Sequence, residues 1–580
     1  MPRHADRDDR VCAKRPRLER RALDRVRRHD TASGHLPARR ATKHLPQRRH
    51  DAARRATLPA QSRQQGRATL RLLRDSRAPP APLRVQQHLP RVVRGKRLAL
   101  FRHLARRQAR RTHRTEGPPV PRREPVPSRI PEQTQRAAPA LQGLHRRGAP
   151  AHAPEAAVTY GDAIEFLYGL RLFGAKFGLE NTLRLAAQAG NPHRSLRFIH
   201  VAGTNGKGST CAMLESIYRH GGLRVGLFTS PHLVSFRERI QVNRQPVPEA
   251  DVVRLVAELQ PLLARFPRDQ HPTFFEVITV MALRYFAEQR CELVIWETGL
   301  GGRLDATNIV TPLASVITNI GFDHQQWLGT TLAAIAAEKA GIIKTGVPVH
   351  TAAADAEALA VIHSHAVRLN AVVHVLSEAN LGRCLPEHWI VPLAGAHQRM
   401  NAALAVAVVK SLGTIIPIPA ETTRRGVESV HWPGRLQTLT ARSGQKLLLD
   451  GAHNTPGCEA LARAICDLSA DTRPALVLGM LEDKDSGTMC AQLAPLSQRI
   501  GLVRVASART AAPDALAAHC RLANSTAEVK CFDSVRQALL WLEAEPLVVV
   551  TGSLYLVGEV LALLNPDGTS ADERGLNEWR

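Results

Sequence analysis

The sequence predicts an α/β protein: a central domain on a mostly parallel sheet, a smaller second α/β domain after it, and a disordered N-terminal extension. Three observations carry this. From about residue 157 onward, β-branched apolar runs alternate with stretches of helical period, as strands joined by covering helices do. One run, Phe198-Ile-His-Val-Ala202, leads into three glycines and a lysine and then a helical pattern, the order a phosphate loop requires. Charge also changes abruptly near residue 155. Of 79 Lys+Arg and 51 Asp+Glu, the first 155 residues hold 40 and 12, leaving 39 of each for the rest.

The first stretch has one aromatic residue, Phe101, and no sustained period of 2 or 3.6, so it cannot bury enough apolar surface to offset its chain entropy. Three readings stay open for residues 1–156: a disordered basic arm for nucleic acid, a transit segment, or a reading frame extended upstream of the true start. The third is favoured and places the start near Val158. Because the basicity is confined here, no nucleic-acid partner is expected for the folded core. Nine cysteines without a C-x-x-C pair read as scattered thiols in a reducing compartment. With no apolar run long enough for a membrane span, a cytoplasmic monomer with small-molecule substrates is expected.

In chain order, residues 163–172 and 179–188 read as helices, with a turn at 174–178 between them. After the phosphate loop, 224–228 is a strand, 248–266 and 273–289 are helices, and 292–297 and 313–320 are strands. Strand patterns follow at 347–350 and 371–376, then a helix at 397–412. A second series begins around residue 430, with strands at 446–450, 475–479, 499–505 and 547–551 and helices at 458–468, 534–543 and 554–564. The expected domains are 157–430 and 431–580, with a cleft between them for substrate.

Gly203, Gly206 and Gly208 let backbone N–H groups approach an anion, Lys207 supplies a cation, and Ser209 or Thr210 a hydroxyl. The loop departs from the usual P-loop pattern, with Val201 where a glycine belongs and Gly208 directly after the lysine. In parallel sheets, ligands lie beyond the carboxyl ends of the strands. Ser230, Glu297 and His324 each follow or end a different expected strand, so all three should converge beside Lys207 as candidate Mg²⁺ ligands. Taken singly, each also reads as an ordinary turn cap, ion-pair partner or loop histidine.

Several stretches together resemble the bifunctional dihydrofolate synthase/folylpolyglutamate synthase enzymes, Mur-ligase-like ATP-dependent amide ligases. They include Gly-Thr-Asn-Gly-Lys-Gly-Ser (203–209), Ser-Pro-His-Leu (230–233), Phe-Phe-Glu-Val-Ile-Thr (274–279) and Glu-Thr-Gly-Leu-Gly-Gly-Arg-Leu-Asp-Ala-Thr-Asn (297–308). Asp-His (323–324), Glu-Lys-Ala-Gly-Ile (338–342), Pro-Gly-Arg (433–435), Asp-Gly-Ala-His-Asn (450–454) and Thr-Gly-Ser-Leu-Tyr (551–555) complete the match. The resemblance implies a P-loop Mur-ligase-like central domain, a Rossmann-like glutamate-ligase domain, and ATP and Mg²⁺ as cofactors, with a monovalent cation as a further candidate. It implies that Gly203, Thr204, Asn205, Gly206, Lys207, Gly208 and Ser209 hold ATP phosphates, joined by Asn401, Arg435, Asp450 and His453. It also implies Mg²⁺ on Ser230, Glu297 and His324, and pterin-side contacts from Phe275, Glu276, Arg303 and Asp305. Lys339 matches a lysine that is carbamylated in the family; by residue pattern alone it reads as a helix-surface lysine. The implied reaction adds L-glutamate to dihydropteroate and to folates through an acyl phosphate. A monofunctional folylpolyglutamate synthase and a nucleic-acid-binding P-loop protein are the alternatives.

Overall fold

The computed structural model describes residues 158–174, 178–441, 443–468, 473–565 and 573–577. The N-terminal extension and the middle of the 174–178 turn lie outside the described residues. The first sheet has strands β1 (Phe198–Ala202), β2 (Val225–Phe228), β3 (Ile240–Val242), β4 (Gln245–Pro246), β5 (Leu293–Glu297), β6 (Ala314–Ile317), β7 (Val349–Thr351) and β8 (Val373–Val375). Their order is β4-β3-β2-β5-β1-β6-β7-β8, and all neighbours run parallel except β2/β3 and β3/β4. β1 and β5 are buried at every position, as a sheet covered on both faces requires. One face packs on helices Glu249–Leu263 and Phe274–Glu288, the other on helices Lys207–His220 and Ala396–Ser411.

The second sheet comprises β9 (Gln437–Thr440), β10 (Lys446–Leu449), β11 (Ala475–Leu478), β12 (Arg499–Val503), β13 (Glu528–Phe532) and β14 (Leu547–Thr551). Its order is β13-β12-β11-β14-β10-β9, antiparallel only at β9/β10. Two apolar clusters, one on each face, form its core.

Most expected elements are present, and the departures have local causes. The first helix begins at Tyr160 because Thr159 and Asp162 form a capping box ahead of it. β6 stops at Ile317, short of the expected residue 320, and Thr318 just beyond it turns its hydroxyl to Asn205 O (2.6 Å) and braces the phosphate loop. Strands β3 and β4, at one end of the sheet, are too short, at three and two residues, to show a period. Among the described residues no helix is long and apolar enough to cross a membrane, and no cysteine is in a disulfide.

Candidate active site

The phosphate loop spans Gly203 to Gly206, between the end of β1 and the helix Lys207–His220. Gly203 (φ 148°) and Gly206 (φ 85°) take backbone conformations that favour glycine. A Cβ on Gly206 would lie 2.5 Å from Asn401 Oδ1, and one on Gly203 would collide with Thr318 Oγ1. The loop is held from outside: Thr204 N donates to Asn319 O (2.9 Å) and Asn205 N to Asn319 Oδ1 (2.7 Å). No side chain caps the helix, so its first N–H groups stay available to an anion. The Ser209 and Thr210 hydroxyls are buried without a protein partner. A closed glycine cradle with free amides and orphaned hydroxyls fits a nucleotide phosphate.

Two amines converge on this loop. Lys207 Nζ donates to Gly203 O (3.0 Å) and Thr204 O (3.2 Å), and Lys339 Nζ donates to Gly203 O at 2.9 Å. The surface reading of Lys339 is therefore corrected: the residue is 4% exposed. Its helix, Leu332–Ala340, buries Ile335, Ala336, Lys339 and Ala340, so Lys339 sits one turn after Ile335 on the inward face. That spacing was the available signal, masked by the charge of the residue. Burial first, then the Lys207 charge, brings the Lys339 amine down to about 7.

The strand ends align as the parallel sheet requires. Val201 pairs with Glu297, Ala202 with Ile317, and Phe228 with Trp296, which sets Glu297 and the approach to Ser230 at the phosphate-loop edge. Glu297 Oε2 accepts from Ser230 N (3.1 Å), and burial raises its carboxyl to about 7 against the pull of Lys207. His324 sits in the left-handed region (φ 50°), and burial, outweighing attraction to Asp323, holds its imidazole down at about 4. Its ring is thus neutral at pH 7, with a lone pair free to bind. Among the described residues no three His, Cys, Asp or Glu side chains cluster as a ready metal site. A hydroxyl, a carboxylate and an imidazole facing a phosphate loop do fit Mg²⁺, which draws much of its oxygen shell from water and phosphate.

Every other residue singled out from the sequence lines the same cavity of about 580 Å³. Arg435 is half-buried there and donates to Gly434 O (3.0 Å); desolvation lowers its pKa, while Asp450 and Glu297 oppose the shift. Asp450 accepts from Leu436 N and Ala452 N (both 2.9 Å), and Asn401 Nδ2 donates to Gln398 Oε1 (3.1 Å). His453 Nδ1 donates to Gly451 O (2.7 Å). The Phe275 ring packs over Gly299, where a Cβ would lie 2.5 Å from Cζ. The remaining pterin-side candidates already have protein partners. Glu276 Oε2 accepts from Thr273 N (2.8 Å), Asp305 Oδ2 from Leu300 N (2.8 Å), and Arg303 pairs with Glu338 (2.8 Å). Burial pushes the Asp305 carboxyl up.

Sequence reasoning did not single out Asp323, although it belongs to the same strand-end loop as His324. It joins the two sheets' domains: Asp323 accepts from Lys484 Nζ (2.7 Å) and Asn454 Nδ2 (2.9 Å), and His453 Nε2 lies 3.6 Å away. Burial alone would raise its carboxyl, but His453, His324 and Lys484 outweigh it and hold the group well below the usual range. Asn454 also exchanges amide hydrogen bonds with Asn205 of the phosphate loop (3.0 Å each way). Nothing in the sequence marks Lys484.

A phosphate cradle on one α/β domain, facing a second across a cleft, is the architecture of a Mur-type ATP-dependent ligase. Residues 201–380 match the Mur ligase middle domain and residues 434–554 the Mur ligase glutamate ligase domain. The dihydrofolate synthase/folylpolyglutamate synthase of Bacillus subtilis (strain 168) is 36% identical over 424 residues, which cover 69% of this chain and 98% of that protein. Escherichia coli FolC in complex with DHPP and ADP aligns at TM-score 0.63 and 31% identity, covering 71% of this chain and 99% of that one. Mycobacterium tuberculosis folylpolyglutamate synthase complexed with ADP and AMPPCP aligns at TM-score 0.65 and 28% identity, covering 71% and 100%. The chain belongs to the dihydrofolate synthase/folylpolyglutamate synthase family. It is an enzyme, an ATP-dependent ligase.

Proposed function

We propose that the chain joins L-glutamate both to dihydropteroate and to the γ-carboxylate of folates, each through an acyl phosphate. The observation that supports this most is the meeting of two lysine amines on Gly203 O, one of which, Lys207, acts electrostatically on the buried Glu297 carboxyl. On this reading, Gly203–Ser209 grips the phosphates, and Asn401, Arg435, Asp450 and His453 complete the nucleotide site. Ser230, Glu297 and His324 would hold Mg²⁺, which would supply charge neutralisation to the phosphate oxygens. The unprotonated half of the Lys339 amine at pH 7 would add to CO₂: an N–C bond forms as one C=O π bond opens, the nitrogen releases a proton, and the side chain becomes an anionic oxygen donor. Phe275, Glu276, Arg303 and Asp305 flank the pterin end of the acceptor.

The acceptor carboxylate attacks the γ-phosphorus and ADP departs. The glutamate amine then attacks the acyl carbon and phosphate departs. The chain contributes alignment, with Lys207 and Arg435 neutralising the transferring group. This reading goes with domains at 157–430 and 431–580 and with a monomer acting in the cytoplasm. Phosphate release by the full chain tests it. Release should require ATP, Mg²⁺, glutamate and an acceptor, with dihydropteroate and tetrahydrofolate each sufficing. Release with tetrahydrofolate alone would leave only the second activity, and release without either acceptor would refute the assignment.

A further inference from the structure

The short helix Glu573–Asn577 follows the second sheet in the chain yet packs on the central domain. Leu576 is buried in that domain's core. Glu573 Oε2 accepts from Phe236 N (2.7 Å), Ser235 Oγ (2.8 Å) and Tyr160 Oη (3.1 Å). Asn577 lines the substrate cavity, and its Oδ1 accepts from Arg239 Nη2 at 2.5 Å. Arg239 Nε donates to His232 Nδ1 (2.8 Å), while His232 Nε2 donates to Glu573 O (2.9 Å) and so keeps the Nδ1 lone pair turned toward the guanidinium. Asn577 Nδ2 donates to His232 O (2.8 Å), which closes the network.

Arg239 lies in the cavity wall, 3% exposed, and its carbonyl accepts from Thr229 N (3.1 Å), the residue before Ser230. Its guanidinium stands 5.5 Å from the centre of the Phe274 ring, at the start of the helix that carries Phe275 and Glu276. It is thus set between the expected metal side and the expected pterin side. Burial draws its pKa down to about 10, which leaves it charged at pH 7. Its hydrogen-bond partners are neutral, an amide oxygen and an imidazole. Glu238 and Glu297 support its charge through space without hydrogen-bonding it, so the guanidinium keeps donors for a further anion.

We infer that Arg239 receives a substrate carboxylate and that Asn577, from the helix Glu573–Asn577, is the positioning residue that aims it. This deepens the ligase reading above and rests on it. Both the acceptor and glutamate carry a carboxylate, and separate titrations of each distinguish them.

The test is steady-state kinetics of the full chain and of Asn577→Ala and Asn577→Asp, varying acceptor, glutamate and ATP in turn. Loss of a hydrogen bond to a charged group should raise KM for one carboxylate substrate on the order of tenfold in Asn577→Ala. Asn577→Asp should raise it further, because the new carboxylate pairs with Arg239 and competes with substrate. KM for ATP should hold in both. An unchanged KM for both carboxylate substrates, or an equal rise in all three, would overturn the inference. Asn577→Asp is isosteric and carries the test if the alanine variant does not fold. A wild-type chain inactive with both acceptors would instead overturn the ligase reading, and this inference with it.

Discussion

Replacing Lys339 with methionine separates the cost of this residue to folding from its use in turnover. The side chains are similar in length, but the amine is 4% exposed and its pKa stands near 7 against an ordinary 10.5. The sign follows from proton counting. Between pH 7 and 10.5 the unfolded chain holds the Lys339 proton and the folded chain does not, so wild-type stability rises with pH across that window. At pH 7, where the folded amine still holds about half a proton, the burial penalty is roughly 4 kcal/mol, somewhat under the full product of about three and a half units and 1.36 kcal/mol each. The hydrogen bond to Gly203 O, donated by a largely neutral amine, offsets about 0.5–1.5 kcal/mol of it. Lys339→Met should therefore unfold at a higher temperature than wild type at pH 7, by a net on the order of 3 kcal/mol. The advantage should shrink toward pH 10. Turnover should fall by roughly 10²-fold or more, as when a preorganised charge beside a transferring group is lost. Scanning calorimetry in CO₂-free buffer without nucleotide, beside phosphate release with the full substrate set, reads both quantities. A variant that unfolds earlier than wild type, or turns over normally, would show that Lys339 serves packing alone.

Three further outcomes follow from the same geometry. Lys207→Ala should cost roughly 10²–10³-fold in turnover, since Lys207 is a cation held on the loop carbonyls; near-normal phosphate release would contradict the cradle. Gly206→Ala forces a Cβ within 2.5 Å of Asn401 Oδ1 at a positive φ, so ADP affinity by calorimetry should drop while the fold loses only about 1 kcal/mol; unchanged affinity would mean that the loop adapts freely. Asp323→Ala leaves Lys484 buried without its close carboxylate, and chemical denaturation should report a loss of about 3–5 kcal/mol. A loss below 1 kcal/mol there would show that water reaches the Lys484 ammonium.

What could be read in advance was local. β1, the three loop glycines, Lys207 and the helix after them declare themselves within seventeen residues, because strand burial, positive φ and helix initiation are properties of neighbouring residues. Ser230, Glu297 and His324 were found through a rule about parallel strand ends, which turns local strand patterns into a shared edge. Packing decided the rest. Lys339 reads as a surface lysine until its helix is laid against the loop. Asp323 and Lys484 are 161 positions apart, and Arg239 and Asn577 are 338 apart. Hydrophobic period reports which face of an element is buried, not which distant element covers it. Pairings across the cleft therefore exist only once both sheets have formed and the Glu573–Asn577 helix has crossed back onto the first.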